Sequence, residues 1–158
     1  NIKNRVYGIK DKNFPSFSTI NSSGTVAQCK TAPTCPGGSD LGWYVDLANK
    51  QKLTAEPTIY KDTVYYPIYQ PTSGGTGCNS GTALLTAYNS KCGNSVLNVN
   101  VGTGVLSKVV VQKDNLYIGI AGEAKENIAG FTSKDNLITG KSKAKGGGAI
   151  SIEGWKQN

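Results

Sequence analysis

The sequence predicts an all-β protein of antiparallel sheets, and three observations carry that expectation. Val, Ile and Tyr fill a series of short segments, and such branched and aromatic side chains pack well on a pleated surface. The 158 residues include 20 glycines and 8 tyrosines but no methionine, a composition of many turns between many strands. The third observation is a repeat. Pro57-Thr58-Ile59-Tyr60, then Lys61-Asp62-Thr63, then Val64-Tyr65-Tyr66-Pro67-Ile68-Tyr69 read as strand, polar break and strand, which is a hairpin. Residues 109–120 give the same pattern around Lys113-Asp114, 52 positions beyond Lys61-Asp62. A period of that size is a mark of blades, solenoids or arrays.

The elements follow in order. Val6-Tyr7-Gly8-Ile9 is a short strand, and Pro15 disfavours helix in the segment after it. Residues 21–41 form a loop rich in Ser, Thr, Gly and Pro. Trp43 to Leu47 alternates, with Trp43, Val45 and Leu47 on one face and Tyr44 and Asp46 on the other. In the first hairpin, Pro67 predicts an edge or a bulge, because proline cannot donate to a ladder. Ala83 to Tyr88 and Val96 to Val101 are further strands, the second ended by a turn at Gly102-Thr103-Gly104. Glu123 to Asn127 has helical potential but is too short to be stable alone. Lys134-Asp135-Asn136-Leu137 echoes Lys113-Asp114-Asn115-Leu116, as successive strand turns of one sheet would, and Ala149 to Trp155 is a last strand. The expectation is nine or ten strands. That is about two and a half blades of roughly four strands each, where a closed propeller needs about four. The predicted architecture is thus a partial β-propeller, one β-rich domain over residues 1–158.

Four cysteines, Cys29, Cys35, Cys78 and Cys92, sit in Gly/Pro/Ser-rich stretches. Four cysteines allow three connectivities, of which sequential pairing, Cys29 with Cys35 and Cys78 with Cys92, is the simplest. Such loop-tying disulfides persist in oxidising compartments, which points to an extracellular or periplasmic location. Zinc is the competing reading, and it lacks both a Cys-x-x-Cys and any histidine. The absence of histidine also removes Ser-His and Cys-His nucleophiles, and Gly102-Thr103-Gly104 lacks the third glycine of a dinucleotide loop. No catalytic group, metal or cofactor is predicted. No run approaches the roughly 18 apolar residues of a membrane helix. The net charge of +7 is concentrated in part at Lys141, Lys143 and Lys145. No aromatic residues interleave these lysines as single-strand binding prefers, so they read first as a solvated loop and nucleic acid is not an expected partner.

Several segments, taken in order, resemble a known family. They are Val6-Tyr7-Gly8-Ile9-Lys10-Asp11, Gly42-Trp43-Tyr44-Val45-Asp46-Leu47, the hairpin Pro57 to Tyr69, Cys78 with Ala83 to Tyr88, and Ile150-Ser151-Ile152-Glu153-Gly154-Trp155. Together they resemble the C-terminal propeller of the type IV pilus biogenesis and tip-adhesin proteins, the PilC/PilY type. The opening is similar to that family's Tyr-Gly-Ile-x-Asp strand, and the ending to a diverged form of its Ser-Trp-Arg segment. The family's Asp-x-x-x-Gly is here Asn89-Ser90-Lys91-Cys92-Gly93, and no Asp-rich calcium loop occurs, so calcium is not carried over.

The resemblance implies the C-terminal part of a longer, secreted propeller protein. Its role would be noncatalytic, at the pilus tip or the cell surface, in pilus assembly or attachment. Its partners would be pilin or minor pilin subunits, or a host or surface ligand. Loops on a rigid scaffold are where contacts gather. The expected binding residues are therefore Thr76 and Asn79 in the loop of Cys78, with Tyr65, Tyr66 and Tyr69 beside it. Tyr65 and Tyr66 point to opposite faces of their strand, so at least one is expected at the surface. The rival reading is structural: the globular head of a pilin-like filament subunit.

Overall fold

A computed structural model describes residues 3–9, 26–28, 42–72 and 81–145. These residues form strands β1 (Arg5–Ile9), β2 (Val26–Gln28), β3 (Gly42–Asp46), β4 (Lys52–Leu53), β5 (Thr58–Tyr60) and β6 (Thr63–Pro71). They continue with β7 (Gly81–Asn89), β8 (Ser95–Leu106), β9 (Val110–Gln112), β10 (Asn115–Ala124), β11 (Phe131–Lys134) and β12 (Leu137–Lys141). Among the described residues there is no helix, and Glu123 and Ala124 finish β10 instead of starting one. No helix is long and apolar enough to cross a membrane among these residues. The strand expected over 149–155 lies outside them.

One sheet has the order β1-β3-β2, with β3 antiparallel to β1 and parallel to β2. The other runs β11-β12-β10-β8-β7-β6-β4, with β5 beside β6 and β9 beside β10. Strand β10 serves two neighbourhoods. Asn115–Gly119 pairs with β12 and Asn115–Tyr117 with β9, whereas Ile120–Ala124 pairs with β8.

The cores show the layering. Val6, Trp43 and Leu47 pack against Val64, Tyr66 and Ile68, so the small sheet covers one face of β6. On the other face, Tyr65, Ala83, Leu85, Ala87 and Val101 meet Leu116, Ile118, Ile120, Phe131 and Ile138. Three layers are stacked, with β6–β8 in the middle. Burying each Val, Leu, Ile or Phe side chain among these contributes about 1.5–3 kcal/mol. Solvent screens an exposed ion pair such as Arg5–Asp46, so packing decides the fold.

The middle layer corrects two expectations. Tyr65 and Tyr66 do point to opposite faces, but both faces are covered, and the two side chains are 0% and 4% exposed. Neither offers a surface. Pro67 is at neither an edge nor a bulge of the β6–β7 ladder, where it pairs with Leu85. It stands opposite the break between β4 and β5, and the Thr54 N–H donates to its carbonyl at 3.1 Å. The missing N–H of proline therefore falls where no neighbouring strand needs it.

Burial pushes the Tyr66 phenol up to about 12, with the nearby Tyr88 as a lesser cause. The folded state thus favours the neutral phenol. Its stabilising contribution is complete below the ordinary value of 10.0 and is lost as pH rises through about 12. Tyr66→Phe should therefore flatten the fall in denaturation midpoint across that interval. An unchanged alkaline slope would contradict it.

The repeat is visible as contact. Thr54 Oγ1 donates to Leu106 O at 3.1 Å, Lys108 pairs with Glu56 at 2.8 Å, and Thr58 Oγ1 donates to Val109 O at 2.6 Å. Lys61 pairs with Asp114 at 2.8 Å, and Tyr60 donates to the same carboxylate at 2.7 Å. Sequence separations stay within 51 to 54 along the whole seam. Two segments meeting antiparallel would change their separation by about two at every step. A constant separation means that residues 54–61 run parallel to 106–114, each beside its counterpart one interval on.

The shorter echo is out of step. Gln112 pairs with Asn115, so Lys113-Asp114 is the turn centre, with φ of 47° and 65°. Lys134 pairs with Leu137, which makes Asp135-Asn136 the centre instead. A slip of one residue exchanges the faces of a strand. Leu116 is accordingly 0% exposed while Leu137 is 45% exposed, and Ile138 takes the inward place.

Candidate functional site

Four segments converge at one end of the stacked layers. They are the β5–β6 turn at Lys61-Asp62, the β7–β8 turn at residues 90–94, the β9–β10 turn at Lys113-Asp114, and residues 142–145 after β12. The Ser90 N–H donates to Asp62 O at 2.7 Å, joining the first two, and the Ser142 N–H donates to Asp114 O at 2.8 Å, joining the last two. The Lys61–Asp114 ion pair links the halves.

The β7–β8 turn has a local cause. Asn89 Oδ1 accepts from the N–H groups of Lys91 at 2.9 Å and Cys92 at 3.1 Å, the turn-making habit of asparagine. The segment after β12 is held from inside the protein. The Tyr65 hydroxyl reaches out of the core to Ser142 Oγ at 2.7 Å and accepts from the Lys143 N–H at 3.2 Å. The Ala144 N–H then donates to Ser142 Oγ at 3.1 Å. Tyr65, expected to bind, positions a segment instead.

Between these turns lies a cleft of about 250 Å³ lined by Asp62, Thr63, Asn89, Cys92, Asn94, Val96, Lys143 and Lys145. The end as a whole carries Lys61, Lys91, Lys113, Lys141, Lys143 and Lys145 against Asp62 and Asp114, and all six lysines are exposed. Both aspartates are engaged. Thr63 Oγ1 donates to Asp62 at 3.0 Å. The Asp114 carboxyl is held below its ordinary value by the hydrogen bond from Lys61, then by that from Tyr60, with Lys141 a smaller contributor. The same contacts hold Tyr60 and Lys61 above their ordinary values. Lys143 and Lys145 form no ion pair among the described residues. Two of the three lysines read from sequence as a solvated loop, Lys143 and Lys145, thus line a cleft, and only tertiary contact brings them to Asn89 and Cys92.

Cys92 is buried and disulfide-bonded. Cys29, Cys35 and Cys78 lie outside the described residues, as do Thr76 and Asn79. The sequential pairing, Cys29 with Cys35 and Cys78 with Cys92, therefore falls, apart from Cys92, on residues outside the described ones.

Tyr69 is half-buried at the far end of β6, paired with Ala83 and Lys52 and with its ring over Gly81. It does not join the cleft. Among the described residues no group of three His, Cys, Asp or Glu side chains could hold a metal. Compared with family models, with curated proteins and with solved structures, the chain matches none.

Proposed function

We propose that this chain is a noncatalytic, secreted type IV pilus factor of the PilC/PilY kind. In this reading it acts at the pilus tip in assembly or attachment. One observation carries it: stacked sheet layers touching in parallel register at an interval of 51 to 54 residues, the relation that adjacent propeller blades would have. The ordered likeness of five segments supports the family. The mechanism is presentation. Rigid layers hold loops and turns, and these meet a pilin-like subunit or a surface ligand. Within this reading Cys92 bridges to one of Cys29, Cys35 and Cys78, and the other two bridge to each other.

Two measurements test it. Quantifying the protein in purified pili should give one or a few copies per filament. Many copies along the shaft would favour the pilin-like head, and absence from pili would overturn the reading. Peptide mapping without reductant should find Cys92 joined to a peptide holding one of the other three cysteines. Four free thiols would refute the bridge.

A further inference from the structure

We propose that the cleft at the turn end binds a uronate residue of an acidic polysaccharide, with the neighbouring sugars lying over the flanking lysines. This deepens the attachment arm of the function proposed above.

Three properties of the cleft point to that chemistry. The first is charge. Six lysines against two engaged aspartates make this end strongly cationic, and Lys143 and Lys145 form no ion pair among the described residues. The Lys143 ammonium lies beside Gly130, a residue outside the cleft lining, about 3.7 Å from where a Cβ there would stand, and its flexible four-carbon stem lets it swing inward to meet a carboxylate. The second is the polar lining. Asp62, Thr63, Asn89 and Asn94 all line it. The Asn89 carbonyl oxygen is spent on Lys91 and Cys92, so its amide remains a donor, while Asp62 can accept beyond the Thr63 hydroxyl. Donors and acceptors side by side suit a ring bearing several hydroxyl groups. The third is size. About 250 Å³ falls below the usual range of about 300–1,000 Å³ for drug-sized ligands, which leaves room for a single ring.

Construction favours a built site over a chance gathering of charge. The backbone that carries Lys143 and Lys145 is pinned by the buried Tyr65 hydroxyl and by Asp114. The β7–β8 turn, which brings Asn89, Cys92 and Asn94 to the cleft, is pinned by the Asn89 side chain and the disulfide at Cys92. Nucleic acid fits less well, because the tyrosine rings at this end are committed: Tyr65 is buried, Tyr88 packs on Trp43 and Tyr66, and the Lys61 ammonium lies over the Tyr60 ring at 5.1 Å. Base stacking has no platform there. An acidic peptide brings no ring of hydroxyl groups to match Asp62, Thr63, Asn89 and Asn94.

The test is titration of the full chain with trigalacturonic acid, followed by calorimetry or amide chemical shifts. The comparison ligands, at one ionic strength, are its methyl ester, a glutamate peptide of equal charge and a single-stranded oligonucleotide of equal charge. The free acid should bind saturably and about tenfold more tightly than each of the others. Lys143→Ala with Lys145→Ala should weaken it about tenfold. Lys52→Ala, at the far end of β6, should leave it unchanged. Both cleft lysines are exposed, so an unaltered unfolding midpoint will show that the double variant folds. Equal binding of the ester, binding of the peptide or oligonucleotide as tight as the acid, no saturation, or an unaffected double variant would each overturn the proposal. Sugar binding is read on purified protein and pilus location on filaments, so failure of one is distinguishable from failure of the other.

Discussion

Trp43→Ala is expected to destabilise the protein by about 3–5 kcal/mol, the usual loss for a large aromatic cut from a core. Trp43 is 1% exposed and belongs to the cluster that joins the small sheet to the middle layer. Its ring stands 6.2 Å from that of Tyr88, and its Nε1 donates to Ser90 O at 2.8 Å. Gly8 and Gly93 make room on its two sides, since a Cβ at either would press into the indole. The alanine variant empties that slot and leaves a carbonyl without its partner. Trp43→Phe keeps most of the packing and loses the hydrogen bond, so it should cost about 1–3 kcal/mol. Denaturant unfolding of both variants measures this. A loss under about 1 kcal/mol for the alanine variant would mean that the small sheet is not held through this side chain.

Gly104→Ala should cost about 3 kcal/mol or more, because strain and collision act together. Gly104 faces Gly122 across the β8–β10 ladder, with φ of 104° and 150°. A Cβ on Gly104 would run into the carbonyl oxygen of Ala121, and one on Gly122 into that of Thr103. Backbone cannot step aside as a flexible side chain can. Gly119 is the control. It has no such φ, and its added Cβ would meet Ser107 Oγ at 3.3 Å, a side-chain atom bonded to the Gly119 N–H at 2.9 Å that need give by only a few tenths of an ångström. Gly119→Ala should therefore cost about 1 kcal/mol or less. Equal losses at the two positions would show that close approach of β8 and β10 is not what requires glycine.

That glycine pair also shows where sequence reading met its limit. Gly102-Thr103-Gly104 reads as the end of a strand, because glycine is the usual residue of a turn. In the structure β8 runs through it to Leu106, and the glycines serve the contact with β10. The need for glycine was local and legible, but its cause lies on a strand about 20 residues away. The echo at Lys134 misleads in a similar way. Four matching residues fix the likeness of a turn but not its centre, and the centre alone decides whether Leu137 or Ile138 faces inward. The longer repeat fared better, because Lys61-Asp62 and Lys113-Asp114 both sit at the centres of their turns.

The candidate site was legible only in pieces. Cys92 and the lysine run stand out in the sequence, yet nothing in their spacing of about 50 residues says that they share a cleft. Tyr65 and Tyr66 show the opposite failure. Alternation assigns them correctly to two faces, but a single sequence does not tell that a second layer covers each face.

Local chemistry is what the sequence alone settled: that the chain would be strands, where most of them begin and turn, and that one hairpin pattern recurs. Those properties depend on side-chain branching and on the backbone freedom of a few neighbouring residues, all of them written contiguously. Tertiary structure decided which faces are buried, that β10 divides between two neighbours, and that lysines from four separate segments gather at one end. These depend on distances between residues far apart in the chain, and such distances exist only once the layers have packed.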